Sequence, residues 1–377
     1  MLSMSSRICI RGFVTDSKVK KVVIIGGSGF IGKYAAKAFI QDASTSIELG
    51  ARNPRVVNEL QLLGNQILPP VSSDITSRSD VLKTCEGANV IVNLVGIMHE
   101  RPPTYTFENV HHFGSRNVAI AAKENNAQLV QVSAIGAVPN SDIPYARTKG
   151  EIAVREICPN AIILRPSIVF GPEDDFFNRF ARITKVLPFM PVFGGGKTKF
   201  QPVYVWDIAN AIVKSSSDPK FHGKTFELGG PDVYTYREIM QLTLDQAGVR
   251  RPIISLPWTM GMIQGFFLEK LPPNLFTLTR DQVKLLRKDN IVSDDPNILT
   301  FKDLKIEPTS AEKILFTYLR EHDITPNKRT HRSINRSVEE EIEEIKRVKN
   351  ETPKKALEKE AEYRKLHESI DRKQNSP

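Results

Sequence analysis

The stretch Val22-Val23-Ile24-Ile25-Gly26-Gly27-Ser28-Gly29-Phe30-Ile31-Gly32 limits what this chain can fold into more than any other feature. A run of β-branched residues with no polar alternation predicts a strand covered on both faces, as parallel strands in α/β sheets are. Glycines follow at once, and Phe30 to Ile40 then reads as a helix. Gly26, Gly29 and Gly32 keep a G-x-x-G-x-x-G spacing. The first permits a tight turn, the second lets backbone approach a pyrophosphate, and the third lets the helix pack on the strand. The first N–H groups of that helix, at Phe30 and Ile31, and its positive dipole end would face the phosphates. A Gly-rich turn alone can be purely structural; strand, triplet and helix together mark a dinucleotide site.

With 377 residues there is room for one large α/β domain plus additions. Three widely spaced cysteines, Cys9, Cys85 and Cys158, argue against a disulfide framework and a structural zinc site. The formal charge of +9 is spread out and partly terminal, so it reads as a solvated surface or attraction to an anionic membrane rather than as nucleic-acid binding. No uninterrupted apolar run is long enough to span a bilayer. Residues 1–20 carry Arg7, Arg11, Lys18 and Lys20, several serines and only Asp16 as an acid. Such a leader predicts a mitochondrial transit peptide removed after Arg11.

Beyond the first helix, Ser46 to Asn53 reads as the second strand and its exit loop. NAD-preferring domains usually offer an acid there to the ribose 2′-hydroxyl, whereas an Arg accommodates a 2′-phosphate. This chain offers Arg52, with Arg55 and Lys33 as helpers, which favours NADPH/NADP over NAD(H). A third strand is expected at Gln66 to Pro69, then Ser73-Asp74-Ile75 and a helix holding Val81-Leu82. Asn89 to Gly96 is a further doubly buried strand ending in a small-residue turn, Val110 to Ala122 a helix, and Leu129 to Ser133 a fifth strand. The alternation predicts a doubly wound parallel sheet, whose carboxyl ends would bring Asp74, Ile75, Asn93, Leu94, Val95 and Gly96 to adenine and ribose.

Ser133 stands at a strand end, ahead of Tyr145-Ala146-Arg147-Thr148-Lys149. Tyr and Lys four apart on a helix share a face, so the ammonium can lower the phenol's pKa. Ser133 could hold a carbonyl oxygen beside them while a nicotinamide exchanges hydride. Singly, each is an ordinary residue; the weight rests on the set. His99 and His111-His112 lack carboxylate or Cys partners at ligand spacing and read as satisfied histidines, not metal ligands.

These motifs, with Leu164-Arg165-Pro166-Ser167-Ile168-Val169-Phe170-Gly171-Pro172, resemble the extended, atypical short-chain dehydrogenase/reductase superfamily over roughly residues 21 to 320. The resemblance implies a Rossmann domain at 21–170, with Pro166 among the cofactor contacts, and a smaller lobe at 171–324, parts of which return to the core. A narrower resemblance rests on Gly171 to Phe180, Gln201 to Ala209, Leu278 to Val283 and Phe301 to Ile306. These stretches are similar to the short-chain-dehydrogenase-like accessory subunit of mitochondrial complex I and to a related group associated with coenzyme Q biosynthesis. The first implies tightly bound NADPH on the matrix side of the inner membrane, without turnover. The second implies an NAD(P)H-dependent oxidoreductase or organising protein. Leu94 to Glu100 lacks the small polar residue that catalytic members use to line the nicotinamide, and the narrower resemblance leans structural.

Three segments fall outside this chemistry. Ser255 to Leu278 is apolar but too broken to span a bilayer; it can lie on one, dock a partner, form a substrate lid or complete the lobe core. Gly194-Gly195-Gly196-Lys197 lacks the strand-to-helix context of a P-loop and reads as a flexible loop near the lobe's entrance. Residues 325–377 form a charged helical extension with a narrow apolar stripe at Val338, Ile342, Ile345 and Val348, suited to assembly rather than to chemistry.

Overall fold

The computed structural model describes residues 19–137, 150–269 and 275–320. The transit-peptide expectation, Tyr145, Lys149 and the 325–377 extension lie outside the described residues, except that Val19 is described and Lys20 opens the first strand.

The chain alternates from the start: β1 Lys20–Ile25, α1 Phe30–Phe39, β2 Thr45–Ala51, β3 Val71–Ser72, α2 Arg78–Thr84 and β4 Val90–Asn93. A helical segment follows, a π-turn over Glu108–Phe113 running into α3 Gly114–Glu124. Then come β5 Gln128–Val132, α4 Glu151–Ile157 and β6 Ile162–Pro166. The second half gives β7 Val169–Phe170, α5 Phe176–Val186, β8 Met190–Phe193, β9 Lys199–Phe200, β10 Val203–Tyr204, α6 Val205–Ser217 and β11 Thr225–Leu228. It closes with β12 Tyr234–Thr235, α7 Tyr236–Gln246, β13 Ile253–Leu256, α8 Trp258–Leu268, α9 Arg280–Leu285 and α10 Ala311–Leu319.

Seven strands form one sheet in the order β11-β6-β5-β4-β1-β2-β3, every neighbouring pair parallel. The uninterrupted apolar run explains β1: Val22 and Ile24 belong to the core on one face, Val23 and Ile25 to the core on the other. None of the four is more than 1% exposed. On one face the sheet is covered by α1 and α6, on the other by α2, α3 and α4. A strand from the second half, β11, completes the sheet beside β6, so the carboxyl half of the chain returns to the core.

The expected third strand at Gln66 to Pro69 is displaced. Only Ile67 makes an isolated bridge, to Ile47, and β3 itself begins at Val71. Pro69 and Pro70 have no N–H to donate, so the ladder stops and resumes two residues later. The remaining elements of the second half pack around a separate aromatic-rich core that includes Phe170, Phe177, Phe200, Tyr236 and Tyr318. Asp174 anchors its entry loop, accepting hydrogen bonds from the Phe177 and Gly171 N–H groups and from the Tyr318 hydroxyl. Burial pushes this carboxyl up, against the opposing pull of those hydrogen bonds.

Among the described residues no helix is long and apolar enough to cross a membrane. The apolar segment resolves into β13 and the short helix α8, where Met260, Ile263, Phe266 and Phe267 are exposed while Gly261 and Gly265 face inward.

Candidate functional site

Because the chain leaves β1 and β4 toward opposite sides of the sheet, a crevice opens between their carboxyl ends, the usual ligand position in doubly wound folds. A cavity of about 160 Å³ occupies it. Its floor is the first turn, Gly26, Ser28 and Gly29. One wall is the end of β2, Gly50 to Arg52, with Ser73, Asp74 and Ile75 after β3. The other is Leu94 to Ile97 after β4, with Tyr105 and Val110 beyond.

The glycines divide their work. Gly26 has φ +87°, a left-handed conformation, and a Cβ there would meet Val95 Cγ2 at 3.0 Å. A Cβ on Gly32 would stand 2.6 Å from the Gly26 carbonyl oxygen and 2.8 Å from Gly27 backbone, so this glycine is demanded by helix packing. At Gly29 a Cβ would meet only the Gly26 oxygen, at 3.2 Å. Packing therefore constrains position 29, which lines the cleft, less severely than position 32. The N-terminus of α1 has no side-chain cap, leaving its first N–H groups for another acceptor.

At the β2 end, Arg52, Tyr105 and Asp74 form a cluster. The Arg52 guanidinium lies 4.6 Å from the Tyr105 ring centroid. Asp74 Oδ2 accepts the Tyr105 hydroxyl at 2.6 Å, while Oδ1 accepts from the Thr76 N–H at 2.9 Å and Oγ1 at 2.8 Å. Burial pushes the carboxyl up, but these hydrogen bonds and the nearby Arg52 charge outweigh it and hold it below the usual range. Asp74 is therefore ionised at neutral pH. Ser73 Oγ, in the same wall, is buried with no hydrogen-bond partner among the described residues. Since buried polar groups are normally satisfied, this hydroxyl suits a polar ligand atom.

The N–H groups of Phe30 and Ile31 belong to the uncapped start of α1, while their side chains pack within the protein: Phe30 lies edge-on against Tyr34, with ring centroids 5.8 Å apart, Ile31 packs against the apolar core, and Gly32 is buried beneath the turn. Asn93 is fully buried and works from behind the wall: its Oδ1 accepts the Val95 N–H at 3.1 Å and its Nδ2 donates to Gln131 at 2.8 Å. Gly26, Gly29, Arg52, Asp74, Ile75, Leu94, Val95 and Gly96 do line the cleft. Tyr105 and the Gly50-Ala51 backbone were not expected from sequence. The strand-end rule marks the loop after β4 but not which residue folds back, and Tyr105 carries no local motif. His111, 2% exposed, fixes the same wall by accepting the Ile97 N–H at Nε2, 2.9 Å away. The Gly194 to Lys197 turn lines none of the cavities described here; its Gly195 N–H donates to Ser255 Oγ.

Pro166 sits in a second, larger cavity of about 510 Å³, which begins at Met98 and His99 and is walled by Ala134 to Gly136, Pro166 to Val169, α5 and α9. Ser133 stands at the adjacent end of β5 but is 5% exposed, and its hydroxyl donates to Glu151. Glu151 is in turn held by Arg165 in a two-pronged ion pair, with Nη2 at 2.6 Å and Nε at 3.0 Å. A hydroxyl has one proton, so Ser133 cannot donate to a substrate carbonyl while it serves this carboxylate.

The fold and cleft define a nucleotide-cofactor-binding protein of the doubly wound class, with the lobe of extended short-chain dehydrogenases. Residues 22–229 match the profile of the NAD dependent epimerase/dehydratase family, and the chain belongs to that family. It is 34% identical over 301 residues to the Arabidopsis thaliana protein named NADH dehydrogenase (ubiquinone) 1 alpha subcomplex subunit 9, mitochondrial, covering 76% of this chain and 73% of that one. The Mus musculus protein of the same name is 30% identical over 86% of this chain and 85% of its own. Among solved structures, UDP-glucose 4-epimerase from Thermotoga maritima, determined with UDP-glucose, has a TM-score of 0.59 at 17% identity, covering 80% of this chain and 99% of that one.

Proposed function

We propose that this chain is a mitochondrial, matrix-side accessory subunit of NADH:ubiquinone oxidoreductase (complex I) that binds NADP(H) as a structural ligand. The observation that carries the reading is similarity along most of the length of proteins named as subunits of that complex, at 34% and 30% identity. The choice of NADP(H) rests on the end of β2, where Gly50-Ala51-Arg52-Asn53 offers a guanidinium and no acid to the ribose. The reading includes a division into a Rossmann domain at 21–170 and a partner-facing lobe at 171–324.

The residues present fit such a nucleotide. Gly26, Gly29 and the N-terminus of α1 would hold the pyrophosphate, Arg52 the 2′-phosphate, and Ser73 with Asp74 the adenosine end. When bound, the nicotinamide supplies hydride chemistry. Tyr145 and Lys149 would hydrogen-bond its ribose or, in an active enzyme, move a proton. The Ser133 hydroxyl is committed to Glu151, which favours the structural role over turnover in coenzyme Q metabolism. A nucleotide whose Kd lies about 1,000-fold below its ambient concentration adds about 4 kcal/mol to folded-state stability.

Native-gel separation of mitochondrial membranes tests the assignment. Co-migration with the large respiratory complex, and loss of that complex when the chain is depleted, is the expected result. Migration in a smaller assembly with quinone-biosynthesis proteins would contradict it.

A further inference from the structure

The second cavity is not built for the polyhydroxylated ligand of the epimerase neighbour. Its walls are apolar, with Pro166, Ile168, Phe176, Phe180, Leu285 and Leu286 among them. Among the described residues, several of the polar groups in its lining bond within the protein, while His99 and Lys288 also stand in the wall. Ser167 Oγ contacts Asn290 Oδ1 at 2.7 Å, Asn290 Nδ2 donates to the Ile135 carbonyl at 3.2 Å, and Gln282 Oε1 accepts the Thr279 N–H. Asp289 accepts the Lys199 N–H, and Arg179 is paired with Asp175 at 2.8 Å while donating to the Thr277 carbonyl. Sugar hydroxyls entering here would lose water and find few partners.

A third cavity of about 290 Å³ adjoins the second. It shares Arg179, Phe180 and Leu278 with the second, and runs on past Ile183, Leu187 and Phe276 beneath α8. Arg179, Phe180 and Leu278 form the border between the two cavities, and the far end of the second is at Met98 and His99, next in sequence to Ile97 of the nucleotide cleft. The larger falls within the range of roughly 300–1,000 Å³ typical of small-molecule sites.

We propose that these two cavities form one tunnel for the hydrocarbon chain of a lipid-like amphiphile, its polar end at Met98 and His99 beside the nucleotide cleft. This rests on the proposed function only in placing a nucleotide in the neighbouring cleft, and the test measures that nucleotide separately.

The purified full chain is assayed for nucleotide content and titrated with cis-parinaric acid, a fluorescent fatty acid. Saturable binding of one probe per chain is expected, displaced by palmitate or geranylgeraniol and not by UDP-glucose. The better competitor of the two distinguishes a straight acyl chain from a branched isoprenoid. Leu285→Arg, which puts a charge in the wall, should weaken the probe at least tenfold with nucleotide content unchanged. Should that variant fail to fold, Met98→Trp, at a half-exposed position in the mouth, should give a comparable loss. Phe267→Ser on the exposed face of α8 should leave probe binding intact. Absence of saturable binding, displacement by UDP-glucose, or affinity within twofold of wild type in both tunnel variants would overturn the proposal. Probe binding in a chain that carries no nucleotide would support the tunnel and contradict the proposed function instead.

Discussion

The nucleotide cleft and the apolar tunnel adjoin, yet they are made in opposite ways. The cleft is backbone geometry: a left-handed Gly26, an uncapped helix start and short loops at the carboxyl ends of adjacent parallel strands. Few side chains finish it, among them Arg52, Tyr105 and Asp74. The tunnel is side-chain shape, assembled from residues as far apart as Met98 and Asn290, with polar groups such as Ser167 and Asn290 bonded within the protein. Backbone recognition demands particular residues at particular spacings. Shape recognition demands only bulk and hydrophobicity, which many sequences supply.

That contrast can be broken most forcefully at the glycines. Gly32→Val drives a side chain into the Gly26 carbonyl and should cost at least about 3 kcal/mol, read from urea unfolding of the nucleotide-free protein. Gly29→Ala should change the same unfolding by less than about 1 kcal/mol. It should nonetheless weaken nucleotide binding. If both variants unfold alike, the distinction between the packing glycine and the ligand glycine is wrong.

Next in size is Arg52→Ala. Loss of a charge-assisted contact should weaken NADPH by about 10- to 100-fold and NADH by less than about threefold, measured by calorimetry on stripped protein. Equal losses would mean that Arg52 serves the fold or the shared part of the two nucleotides.

Tyr105→Phe sharpens the account of the carboxylate. Removing the hydroxyl should cost about 1 kcal/mol at neutral pH. Asp74 is held below its ordinary value in the fold, so the unfolded chain binds more protons in acid. Its contribution is full above the usual carboxylate pKa and fades as pH falls through that value toward the folded one. The variant loses part of this depression, so melting curves of wild type and Tyr105→Phe should converge as the buffer is acidified. Curves that stay parallel would remove the Tyr105 to Asp74 bond from the explanation. The smallest effect belongs to Phe267→Ser, expected within about 0.5 kcal/mol for the isolated chain because the ring is 63% exposed.

The same contrast governs what could be read from sequence. The doubly buried strands, the glycine turn, Arg52 and Asp74 were legible because each is a local pattern with a single physical cause. The shift of β3 past Pro69-Pro70 was legible in principle, since neither proline can donate to a ladder. Asn93 was placed by the right rule on the wrong side of its own strand end. A residue's position shows that it ends a strand at the cleft but not whether its amide turns out to a ligand or back to Gln131. Tyr105 and the commitment of Ser133 to Glu151 depend on loop closure and on a partner 18 residues away, which no local pattern encodes.

The central claim, that Arg52 and its cleft hold NADP(H) as a resident ligand, is tested most directly by denaturing the protein isolated from mitochondria and identifying what it releases. The account predicts about one NADP(H) per chain, retained through purification and lost in Arg52→Ala. Release of NAD(H), or of no nucleotide from a folded protein, would contradict it.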